Sequence, residues 1–186
     1  NQKMQELAAS RRAAGGRPYV IPVGGSNGLG SLGYVLAMFE LVEQLNESGE
    51  EIHHVVVASS SGGTHAGLVL GAKLAGFTGK VVGISIDQLP TQQPTFEQEL
   101  CQIARAAAKI IDSKVEIQPD DFILNYDYLG GGYGVIGSLE RETIWLAAQQ
   151  DALMLDPVYT GRAFGALVNM IRRNSLDSQD RVLFWH

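Results

Sequence analysis

The chain has 186 residues, 45% hydrophobic and 18% charged, with a formal net charge of −6 at pH 7. That length fills one sizeable core, or one large and one small domain; the acidic balance, with Lys/Arg clusters no larger than the pairs Arg11-Arg12 and Arg172-Arg173, argues against a nucleic-acid surface. No apolar run reaches membrane-spanning length, "NQKMQELAASRRAAGG" lacks the apolar core of a signal peptide, and the lone Cys101 leaves no internal disulfide, so a cytoplasmic setting is expected.

In chain order, residue 1 is Asn and the first segment already reads as mid-helix. "PYVIPVGG" (18–25) reads as a strand running into glycines, and "SLGYVLAMFELVEQL" (31–45) repeats apolar residues with a helical period. "HVVVAS" is a strand without polar alternation, as expected where both faces are covered. It runs into "SSSGGTHAG" and a helix ending at Gly76. "KVVGISI" (80–86) is a second buried strand. "TFEQELCQIARAAAKII" opens with Thr95 and Gln98 in capping-box spacing. Cys101 lies inside that helical pattern with no neighbouring base, which favours an apolar filler over a nucleophile.

"DFILNYDYLGGGYGVIG" (121–137) is rich in Gly and Tyr and reads as irregular. A helix from Ser138, taken as its N-cap, follows, then a short strand "ALMLDPVY". "TGRAFGALVNMIRR" is a helix with Thr160 as N-cap and two arginines at its C-terminal end. "RVLFWH" closes the chain as a strand that stops without its usual following loop. Both ends therefore lead us to expect a piece of something longer, trimmed at both sides.

Strands alternating with helices predict an α/β fold: three layers, a mostly parallel sheet with helices on both faces, and strands near Val20, Val56, Val82, Met154 and Leu183. Ligands of such sheets bind beyond the carboxyl ends of the strands. Gly24 to Asn27, Ser59 to Thr64, Asp156 to Thr160 and His186 stand at those ends and are expected to face one crevice.

Gly28, Gly30 and Gly33 match the dinucleotide fingerprint G-x-G-x-x-G, but the next strand ends in Ser59-Ser60-Ser61, without the acidic residue for the ribose. A tight turn with close packing explains these glycines instead. "SSSGGTHAG" has no P-loop Lys and no nucleophile elbow. Its two glycines, with Ser and Thr beside them at a helix start, suit an anion, most often a phosphate. His65 is either a base or a packed residue of the first helical turn. Tyr133, between Gly132 and Gly134, either projects into a pocket or packs on a surface loop. Tyr159 lies at the carboxyl edge of the sheet, where a site would be.

In this order, "RPYVIPVGGSNGLGSLGY", "VVVASSSGGTHAGL", "GGGYGV" and "LDPVYTGRAFGAL" resemble the pyridoxal-phosphate enzymes of fold type II. The resemblance is to the branch holding D-cysteine desulfhydrase and 1-aminocyclopropane-1-carboxylate deaminase, and it extends over essentially all 186 residues. It implies a tryptophan-synthase-β-like fold, with residues 1–186 forming mainly the large cofactor-binding domain. It also implies pyridoxal 5'-phosphate as cofactor, with Ser61, Gly62, Gly63 and Thr64 as the phosphate cup. Tyr133 and Tyr159 match two active-site tyrosines. The family's covalent lysine motif and its later "TGG" are absent, and Lys3, Lys73, Lys80, Lys109 and Lys114 stand in contexts that do not match. Thr160, directly after the Tyr of "DPVY", sides with the desulfhydrases, since the ring-opening deaminases carry Glu there. The resemblance implies degradation of D-cysteine to pyruvate, ammonia and sulfide by an enzyme containing this segment. A ring-opening deaminase, or a non-catalytic binder of a phosphorylated ligand, remains as the alternative. A small amino-acid substrate, a homodimer, and neither a metal nor a membrane are expected.

Overall fold

The computed structural model describes residues 2–186, so Asn1, where the helical reading began, lies outside it. Four strands form one sheet: β1 (His54–Ser59), β2 (Lys80–Ser85), β3 (Ile123–Asn125) and β4 (Val182–Trp185). Their order is β3-β2-β1-β4, and every neighbouring pair is parallel. Among the described residues the α-helices are α1 (Gln2–Ala13), α2 (Gly28–Ser48), α3 (Gly63–Ala75), α4 (Phe96–Ile110), α5 (Ser138–Asp151) and α6 (Thr160–Arg172).

The unalternated valines of β1 are explained by two cores. Side chains alternate across a strand, so Val55 and Val57 enter a core built with α2, α3 and α4. Val56 enters the opposite core with Val82, Ile84 and the Ala163, Ala166, Leu167 and Met170 face of α6. Both faces are covered, and the architecture is the expected α/β arrangement of a parallel sheet between helices.

Two expected strands do not form. Around Val20 the chain is extended but unpaired, because Pro18 and Pro22 remove two backbone donors. Ile21 there is 65% exposed. Around Met154, Ala152 takes φ 54° as the C-cap of α5, and the segment runs on into a turn without joining the sheet. Conversely, β3 lies in the stretch read as irregular, pairing Ile123, Leu124 and Asn125 with Val82, Gly83 and Ile84.

The helix starts also differ in detail. α2 begins at Gly28 because Asn27 caps it, its side chain accepting from the Gly30 N–H at 2.8 Å. The cap of α5 is Gly137 rather than Ser138, with the Glu140 carboxylate accepting the Gly137 N–H at 2.8 Å. The cap of α6 is Tyr159 rather than Thr160. The capping box of Thr95 and Gln98 is present, and buried Cys101 donates its thiol to the Ile117 carbonyl as a core filler. Gly28 packs the start of α2 against the α4 backbone, where a Cβ would stand 2.7 Å from the Ala106 carbonyl carbon. That supports tight packing as the reason for this glycine.

Candidate functional site

From β1 the chain moves outward to β2 and β3, then returns to place β4 on the other side of β1. The order therefore reverses between β1 and β4, and beyond their carboxyl ends lies the switch point where such sheets bind ligands. A crevice of about 500 Å3 opens there. Its walls are Val23–Ser26, Ser59–His65, Asp87, Tyr133, Tyr159 and the last two residues, Trp185 and His186. All four of the expected strand-end groups contribute to it. Asn27, Asp156 and Thr160 do not line it.

The floor is the start of α3. Gly62 takes φ 88°, and a Cβ on it would lie 2.6 Å from Leu100 Cδ2. The first backbone bond into the helix runs from the Ala66 N–H to the Gly62 carbonyl. The N–H groups of Ser61, Gly62, Thr64 and His65 have no acceptor among the described residues. The Gly63 N–H donates to Ser26 Oγ at 3.0 Å, and Ser26 in turn donates to Ser61 Oγ at 2.8 Å. A row of free donors at a helix N-terminus, flanked by hydroxyls, fits a phosphate. Ser26 thus joins this row of donors and hydroxyls, although the sequence offered it only as one residue of a strand-end group.

His65 faces away from base chemistry. It is fully buried, stacked edge-on against Phe122, with Nδ1 3.1 Å from Ser59 Oγ. Burial lowers its pKa to about 4, against a small upward pull from the Val81 backbone, so it is neutral at pH 7. Its Nε2 has no partner among the described residues.

The crevice mouth holds the tyrosines. Gly132 (φ 111°) and Gly134 (φ 74°) turn the chain on either side of Tyr133. The Tyr133 and Tyr159 hydroxyls are 2.5 Å apart, with the rings edge to face at 6.0 Å. That hydrogen bond, then burial and the nearby charges of Tyr133, Asp87 and Asp156, pushes the Tyr159 phenol up to about 12. At neutral pH Tyr159 is therefore protonated, suited to donate or relay rather than abstract a proton.

Behind Tyr159, the Asp156 carboxylate accepts from the N–H groups of Val158, Tyr159 and Thr160, and from the Thr160 hydroxyl at 2.6 Å. Burial alone would raise Asp156, but the Thr160 hydroxyl and these three donors outweigh it and hold the carboxyl below its usual value. Thr160 is thereby turned toward Asp156.

Among the described residues no lysine lines the crevice. Lys73 is held by Asp121 Oδ2 at 2.6 Å and the Glu116 carbonyl. Sequence reasoning also passed over Asp87, at the end of β2, and Arg162. A signal for Arg162 existed: it shares one face of α6 with Ala166 and Met170 at four-residue spacing, so a charge falls on the core stripe.

A family model described as "pyridoxal-phosphate dependent enzyme" matches residues 1–186. A crystal structure of an ACC deaminase homologue superposes with a TM-score of 0.83 at 36% sequence identity, over 97% of this chain and 52% of that one. The chain thus spans about half the length of that relative.

Proposed function

The chain belongs to the pyridoxal-phosphate-dependent enzymes, and we propose that it supplies the phosphate-holding and substrate-facing part of a lyase that acts on a small amino acid. The carrying observation is one crevice in which unpaired N–H groups of the α3 start face a hydrogen-bonded tyrosine pair. Pyridoxal phosphate supplies, when bound, an electron sink for the carbanion at the substrate's α-carbon. Ser61, Gly62, Gly63 and Thr64 bind its phosphate through backbone donors and hydroxyls, and the helix dipole adds to the attraction. For the Gly63 N–H to join them, Ser26 must release it. Tyr159 positions the substrate's amino end, and Tyr133 stands nearer the departing group. The lysine that holds the cofactor comes from chain outside residues 1–186, and the active enzyme is a homodimer.

Within this reading the substrate is D-cysteine, consumed with water to give pyruvate, ammonia and hydrogen sulfide. Thr160 in "DPVYTGRAF" supports it. Because the Thr160 hydroxyl engages Asp156, we assign its influence to the Tyr159 backbone rather than to direct substrate contact. The relative described as an ACC deaminase homologue favours a second reading, opening of a carbon ring, and Glu in place of Thr160 would suit that chemistry.

Two measurements test this. Inorganic phosphate should move the amide signals of Gly62 to Thr64 in this chain, and no shift at millimolar phosphate would reduce the loop to plain capping. The gene product that contains the chain should release pyruvate from D-cysteine with a kcat/KM orders of magnitude above ring opening. Comparable values would remove Thr160 as a mark of specificity. The 186-residue chain alone should turn over neither substrate.

A further inference from the structure

The loop carrying Tyr133 has little to hold it. From Gly130 to Gly137 it has no regular structure, and most of its residues are exposed, including Val135 and Ile136. Gly130, Gly132 and Gly134 all take positive φ. Such a segment loses much conformational entropy on ordering, yet it presents one phenol at a defined place.

Arg162 supplies the missing constraint. Its side chain is fully buried. Nε donates to Glu140 Oε1 at 2.7 Å. Nη1 donates to the Ile86 carbonyl at 3.0 Å and the Leu129 carbonyl at 2.9 Å. Nη2 donates to the carbonyls of Gly132 at 3.1 Å and Val135 at 2.9 Å. Every guanidinium donor is used. Gly132 and Val135 belong to the Tyr133 loop, Leu129 immediately precedes it, and Ile86 directly follows β2. The second Glu140 oxygen takes the Gly137 N–H, so the ion pair grips the loop at both ends. Arg162 also lies one helical turn after Tyr159, so both phenols are referenced to the same group.

Buried ion pairs of this kind add little net stability compared with apolar packing, and their strength is directional. We propose that Arg162 is a positioning residue: through the Leu129, Gly132 and Val135 carbonyls it fixes the loop in the conformation that sets the Tyr133 phenol against Tyr159. The proposal rests on the reading of that pair as substrate-facing, but its geometry is testable without cofactor or substrate.

NMR of the chain provides the first test. In the wild type, the Arg162 Nη protons should be resolved, slow to exchange and close to the Gly132 α-protons. Tyr133 and Tyr159 should show a ring-to-ring contact. In Arg162→Lys, whose compact ammonium cannot span the carbonyls, and in Glu140→Gln, that contact should be lost. The Phe164–Phe184 contact, 5.1 Å between ring centres in the second core, should persist and report folding. A retained tyrosine contact in either folded variant overturns the proposal. So do freely exchanging Nη protons in the wild type, which decides the matter if both variants unfold. In the gene product containing the chain, Arg162→Lys should lower kcat in the wild-type background and add nothing in a Tyr133→Phe background. Additive losses would mean that Arg162 acts by some route other than Tyr133.

Discussion

Replacing Gly62 by Ala tests the geometry of the cup floor quantitatively. At φ 88° an L side chain is strained by about 1–2 kcal/mol. The added Cβ would also meet Leu100 Cδ2 at 2.6 Å, and Leu100, fully buried in the same core as Phe96 and Ala104, would have to shift. Such overpacking costs about 1–3 kcal/mol, while the stiffer unfolded chain returns about 0.4–1 kcal/mol. The net expectation is a loss of about 1–5 kcal/mol, a large part of the stability of an ordinary domain. Gly76→Ala is the control. It has φ 69° but nothing within 4 Å of a Cβ, so it carries the strain without the collision. Urea unfolding at 25 °C, with unchanged m-values, compares the two. In a Leu100→Ala background the collision disappears, and Gly62→Ala should cost no more than Gly76→Ala. Equal costs in the wild-type background would refute the contact with Leu100 and the tight seat it gives the loop.

Three further outcomes are expected. His65 is buried neutral with its pKa lowered to about 4, so its contribution is intact above about pH 6.5 and is lost as pH falls toward 4. His65→Gln should flatten that limb of a urea-against-pH series, and a His65 ring titrating near 6.5 by NMR would contradict the burial. Asp156 is held below its usual value, so its stabilisation is present above about pH 4 and is lost as pH falls through the folded value. Asp156→Asn should cost about 1–2 kcal/mol at pH 7, through weakened bonds from the Val158, Tyr159 and Thr160 donors, and remove that loss, read in the same series. The exposed Tyr19, Ile21, Val23, Leu29 and Leu36 should drive self-association, and strictly monomeric sedimentation at high concentration would count against it.

β1 and β2 were legible because a strand covered on both faces has no polar alternation to hide behind. "PYVIPV" carries the same apolar signal, but a strand also needs donors and a partner, and two prolines deny it both. β3 was hidden by its three-residue length beside a glycine-rich loop. Ser61 to Thr64 and Tyr159 were legible at strand ends and Tyr133 between its glycines, and all of them line one crevice. Thr160 shows the limit. Its place after Tyr159 was readable, but the direction of its hydroxyl was not, since that depends on Asp156 folding back over the helix start. Arg162 depends on a carbonyl just past β2 and on others from residues 129–135, together with the Glu140 carboxylate, a convergence that no local pattern encodes.

The pairing of β1 with β4 has a consequence during synthesis. His54 is in register with Val182, a separation of roughly 130 residues, so one side of β1 waits for β4 to be made. At about 5–20 residues per second on the ribosome, that wait is on the order of ten seconds. Throughout it, Val55, Val56 and Val57 carry a row of unpaired backbone groups on that side, a template for another nascent chain. Neighbouring ribosomes on one message bring such templates close together, which favours pairing between nascent chains over the native pairing until β4 is made.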